Sequence, residues 1–145
     1  MAALQNLDAV INKLGYSIVE EIKKISDEKI RSGLLRHIEK SLGVLVNDGV
    51  YAYYVFSKSK DKDKDKDNNS TYYYSNIFIK TPVETLSCFM NLNFNTDDNN
   101  QDDSYEVFFQ NLSQDLHKLL FFKDLLEQAL IYARYHAKAL GDNYE

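Results

Sequence analysis

The chain has 145 residues, 44% hydrophobic and 27% charged, with 17 Lys and Arg against 22 Asp and Glu for a net charge of -5. That is one ordinary domain with enough apolar content for a core, which excludes a disordered polymer and argues against a free-standing basic DNA binder. The longest apolar run falls far short of a membrane span, the N-terminus carries no basic-then-apolar leader, and Cys88 is the lone cysteine. A cytoplasmic protein with no membrane role, no disulfide framework and no thiol pair for metal or redox work is expected.

Leu4, Leu7, Val10, Ile11, Leu14, Ile18, Ile22 and Ile25 recur at steps of three and four, which predicts a long amphipathic helix. Ser26 or Asp27 supplies the cap of a second, where Ile30, Leu34, Ile38 and Leu42 repeat every four residues; Gly43 and the Asn47-Asp48-Gly49 turn are expected to break it. A third helix runs from Val50 to Lys58 with Val50, Tyr54 and Val55 turned inward. Alternating Lys and Asp from Lys60 to Asn69 leaves nothing apolar to bury, so a flexible loop is expected at about 60–71.

Tyr72 to Ile79 is rich in strand formers but has no visible partner strand; it reads as helix, with a small β element near 72–79 as the alternative. Thr81-Pro82-Val83-Glu84 combines a cap, a first-turn proline and a capping-box glutamate, predicting a helix from Pro82 to about Asn91. A second polar loop covers about 94–103, after which Asp103 and Glu106 repeat the capping-box spacing. The helical pattern then continues from Val107 through Leu140 to Gly141, as one long helix or two joined near Phe121. The sum is an all-α compact bundle of about six helices in a single domain over 1–145.

Catalytic spacing is missing. His37, His117 and His136 stand in no His-Glu-x-x-His, Cys-x-x-Cys or Gly-x-Ser-x-Gly context, so neither an enzyme nor a cofactor is expected. Asn95, Asp97, Asn99, Gln101, Asp103 and Glu106 occupy positions 1, 3, 5, 7, 9 and 12 of a calcium-loop frame, but Asn100 stands where the turn needs glycine and Asp102 where it needs an apolar residue; no metal is expected. Lys29, Arg36 and Lys40 share one helix face, and Arg134 and Lys138 another, with Lys118 and Lys123 upstream. Because Asp97, Asp98, Asp102, Asp103 and Glu106 account for the whole excess of negative charge, the remainder is near neutral and can present a basic side to phosphates.

Asn47 to Lys60, NDGVYAYYVFSKSK, carries a resemblance. Gly49-Val50, Val55-Phe56 and the closing Ser59-Lys60 resemble the Gly-Leu turn, Ala-Phe step and Ser-Lys ending of the small helical subunit of type III-B CRISPR effector complexes, the Cmr complexes. The C-terminal FFKDLLEQALIYARYHAKAL is similar to that family's last helix through Phe122-Lys123, Gln128-Ala129-Leu130 and Tyr135 to Lys138. Asp48 interrupts Asn-Gly, Gln128 replaces a glutamate, and no proline precedes the turn around Leu45. The related small subunit of type I-A complexes is the rival, since it can carry an extra β portion that Tyr72 to Ile79 would suit.

The resemblance implies a non-catalytic subunit that stacks in several copies beside the backbone and large subunits and helps to hold guide RNA with its target RNA or DNA. It implies phosphate contacts at Lys58 and Lys60 in the matched helix and at Arg134 and Lys138 in the C-terminal one. Arg36 and Lys40 join them through facial clustering alone. The competing expectation is a helical adaptor or viral inhibitor whose acidic loop mimics phosphates and which binds no RNA.

Overall fold

The computed structural model describes residues 6–62, 72–92 and 101–140, with side chains left aside at 62 and 101–103. Helix α1, Leu7–Lys23, starts where the Asn6 side chain accepts a hydrogen bond from the Asp8 N–H, and it buries Ile11, Leu14, Ile18 and Ile22 on one face. Leu4 lies outside the described residues. The chain turns through Ile25, whose carbonyl accepts a 2.7 Å bond from the Arg31 guanidinium, and enters α2, Glu28–Asp48, capped by Asp27. Gly43 does not break α2: the helix passes through it to Asp48, because one glycine costs only about 1 kcal/mol against a stripe of buried Leu34, Ile38 and Leu45. Gly49, at φ 102°, ends α2 in a conformation open to glycine, and α3, Val50–Lys62, begins at the next residue.

The buried face of α3 is Val50, Tyr53, Tyr54 and Ser57, whereas Val55 is exposed. The expected inward Val55 fails because it lies about 200° round the helix from Tyr53, on the opposite side of the stripe. Helicity also extends through Lys60 and Asp61, into the stretch expected to be loop. Asp61 is buried, and its carboxylate accepts from the N–H groups of Tyr74 and Ser75 at 3.0 and 2.8 Å, capping the next helix from across the chain. The rest of the Lys-Asp tract lies outside the described residues.

Helix α4 is continuous through three stretches: Tyr73–Ser75, a π-helical Asn76–Lys80, and Thr81–Met90. It replaces the small β element that strand propensity allowed near 72–79; burial of Tyr74, Ile77, Phe78 and Ile79 against neighbouring helices outweighs that propensity. Thr81 is likewise inside the helix instead of capping it, with its hydroxyl donating to the Asn76 carbonyl. Pro82 has no N–H, so the carbonyl of Phe78, four residues back, lacks its usual helical donor. The hydroxyl of Tyr53 supplies the bond at 2.7 Å from the centre of the core, where burial pushes its phenol well above the ordinary range. Tyr53→Phe should therefore cost about 1–3 kcal/mol in urea unfolding, the penalty for orphaning a buried carbonyl; an unchanged midpoint would assign that carbonyl another donor. Asn91, in the left-handed region, closes α4.

Helix α5, Gln101–Ser113, starts before Asp103, so Asp103 is within a helix and not its cap. The remaining helix, α6, Leu116–Ala139, is separated from α5 at Gln114 and Asp115, not near Phe121. Asp115 accepts from the Lys118 N–H and sets the start of α6 without help from proline or glycine. Gly141, the expected stop, lies outside the described residues.

The protein is thus an all-α bundle of six helices around one core, with no strand among the described residues. α1 and α6 form its most extensive helix pair. There Gly15 meets Ala129 and Ala133 so closely that a methyl group on it would lie 2.7 Å from the Ala129 carbonyl oxygen and 3.0 Å from the Ala133 nitrogen.

Candidate nucleic-acid interface

The one-residue connection at Gly49 folds α3 back along α2, and the pair is joined inside by His37. His37 follows Leu34 by one helical turn, which places it on the core stripe of α2, where it is buried. Its Nε2 lies 3.0 Å from the Ser57 hydroxyl, and its ring stacks on Phe56 at 5.2 Å between centroids. Tyr74 and Phe78 of α4 meet the same ring edge-on at 4.9 and 4.4 Å. Burial foremost, then the nearby Lys60 and Lys40 charges, pushes His37 down to about 3, so the imidazole is neutral. Sequence spacing showed three isolated histidines; the signal for this one was its place on an apolar stripe, not any motif.

Around this core, three predicted residues come together. Arg36 and Lys40 are exposed one turn apart on α2. The Lys60 ammonium arrives from α3 and sits 4.9 Å from the Phe56 ring centre. Lys40 and Lys60 both act on His37, while Arg36 acts on Tyr74 against the opposing field of Asp61. They form one basic edge of the α2–α3 pair.

Lys58 is not part of that edge. Two residues along a helix turn it through about 200°, and its ammonium lies 3.5 Å from the Tyr54 hydroxyl, on the side of α5. There it neighbours Glu106, which accepts hydrogen bonds from the Tyr51 hydroxyl and the Gln110 amide and is held below the ordinary carboxylate range chiefly by Tyr51. That glutamate is the last position of the calcium-loop frame; most of the frame lies outside the described residues. Among those residues no group of three His, Cys, Asp or Glu side chains is placed to hold a metal ion.

Arg134 and Lys138 lie a turn apart on α6, Arg134 half-buried and Lys138 exposed. The guanidinium carbon of Arg134 is 5.9 Å from the Tyr135 ring centre, and its Nε is buried with no hydrogen-bond partner among the described residues. His136 faces α1, with Nε2 3.2 Å from Asn12 Oδ1. The carboxylate ion pairs among the described residues engage Lys23, Lys24, Lys118 and Lys123, so Lys118 and Lys123 are drawn to Asp115 and Glu127 instead of extending the Arg134 face. In the sequence, Arg134 and Lys138 share one face, with Lys118 and Lys123 only upstream of it.

The geometry defines a helical bundle with two separate basic faces, one on α2–α3 and one on α6. No helix among the described residues is long and apolar enough to cross a membrane. No protein-family model, curated protein or solved structure matches the chain.

Proposed function

We propose that the chain is a non-catalytic small subunit of an RNA-guided CRISPR effector complex of type III-B, using its basic helix faces to hold guide RNA and target through their phosphates. The observation that carries this reading is the placement of Arg36 and Lys40, exposed one turn apart on α2, beside the Lys60 ammonium that α3 sets over Phe56 next to His37. The likeness of Asn47 to Lys60 and of the C-terminal helix to that family supplies the context. Within such an assembly base pairing provides specificity, and the protein needs only backbone contacts that ignore sequence. Copies of the chain would stack beside backbone and large subunits, which supply the remaining affinity for an acidic protein. Residues 73–79 are helical and are not the β portion that would suit the type I-A subunit.

The test is target capture by complexes assembled with backbone subunits. Arg36→Glu with Lys40→Glu, and separately Arg134→Glu with Lys138→Glu, should each weaken capture about tenfold at physiological salt and flatten its salt dependence, with helicity unchanged. Lys58→Glu is the internal comparison and should cost less, because Lys58 already faces Glu106. Unchanged capture in both double variants would remove these faces from the interface. Purification of the native protein with an unrelated protein partner and no RNA would favour the adaptor reading instead.

A further inference from the structure

The α6 basic face continues into exposed aromatic surface that phosphate binding does not use. Tyr135 is 58% exposed and Tyr16, on α1, 52% exposed. Steps of about 100° around α6 put Arg134 and Lys138 on one flank of Tyr135 and His136 on the other. The band then crosses to α1, where the Tyr16 ring meets His136 edge-on at 5.6 Å. Asn12, bonded to His136, fixes that ring from the α1 side. The order across the surface is therefore cation, aromatic, imidazole, aromatic.

Each of these two exposed rings contacts a polar or cationic neighbour, Arg134 in the case of Tyr135 and His136 in the case of Tyr16. Here the Arg134 guanidinium lies toward the Tyr135 ring and the Tyr16 ring stands nearly perpendicular to His136, with 78° between the planes, so both are oriented while roughly half of each side chain stays exposed. Such rings accept the π-face of a base, and the adjoining cations accept the phosphates on either side of it. A duplex keeps its base faces stacked inside and offers only edges and backbone, so it satisfies the cations but not the rings. We propose that the α1–α6 surface is a stacking platform for unpaired bases, so that this face takes single-stranded nucleic acid in preference to duplex. The inference rests on the nucleic-acid reading above and narrows it to one strand form and one binding mode.

The experiment measures fluorescence polarisation of three labelled 12-mers at low ionic strength: an RNA single strand, the corresponding duplex, and a single strand with abasic sites in its middle. The intact chain should bind the complete single strand about tenfold or more tightly than either of the others. Tyr135→Ala and Tyr16→Ala should each remove most of that preference, while Tyr135→Phe, which keeps the ring, should retain it. Equal binding of all three probes, with Tyr135→Ala inert and Arg134→Glu with Lys138→Glu still damaging, overturns the stacking platform and leaves the phosphate reading standing. Failure to bind any probe, with Tyr135→Ala instead blocking association with a protein subunit, overturns both and assigns the surface to a protein partner.

Discussion

Gly15→Ala is expected to destabilise the protein by about 1–3 kcal/mol, although alanine is the better helix former by about 1 kcal/mol. The new methyl group would have to sit 2.7 Å from the Ala129 carbonyl oxygen, which is backbone and cannot swing aside as a side-chain tip would. Relief then requires α6 to move away from α1 along the largest helix contact in the bundle, loosening Ile11, Leu14, Ile18 and Ile22 together. The matched control is Gly43→Ala in α2, where a methyl group meets nothing within 4 Å. That change should stabilise by about 0.5–1 kcal/mol through propensity alone. Urea unfolding of the two variants reads the opposite signs directly. A stabilised Gly15→Ala protein would show that the helices are not seated this closely.

The second large effect is acid sensitivity centred on His37. In the unfolded chain this histidine takes its proton near pH 6.5, but in the fold only at about 3. Between those values the unfolded state binds the extra proton, so native stability falls as pH falls, with a limiting slope of about 1.4 kcal/mol per pH unit. The contribution is fully present above pH 6.5 and is reduced by roughly 2 kcal/mol at pH 5. His37→Leu combined with Ser57→Ala removes the imidazole and the hydroxyl it would orphan, and should flatten the stability profile between pH 6.5 and 5. His117 and His136 remain in both proteins and cancel in the comparison. An identical profile in the double variant would mean that another group carries the acid limb.

Helix existence was legible in the sequence because α1, α2 and α6 repeat apolar residues at helical steps; helix ends were legible where a side chain caps them, as Asp27 does. Long-range events were not. Asp61 hides inside a repeat whose composition argues for solvent, and only the position of the α4 amides reveals why this aspartate is buried. The α5–α6 break lacks proline and glycine, and its signal was the modest capping aspartate at 115. For the candidate interface, sequence could list cations but not sort them. Lys58 and Lys60 read as one basic ending in a string of letters, yet the helical angle sends one to Glu106 and the other to Lys40 and His37. Tyr16 and Tyr135 were invisible as a pair because 119 positions of chain separate them, and contact between α1 and α6 brings them to one surface.

The single-residue connection at Gly49 also makes the α2–α3 pair a lever. Lys60 stands 11 residues beyond that glycine, or about 16 Å along the helix axis. A rotation of about 5° at this fulcrum sweeps the Lys60 end through about 1.4 Å, nearly the rise of one residue along a helix. The spacing between the α2 cations and the α3 cation is therefore gauged at the far end of the pair, beside Asp48 and away from all three cations. The His37–Ser57 bond sits partway along the arm and works as its brace. A change in backbone angle at residue 49 would be read out as a change in the spacing of these cations, amplified by the length of the helix.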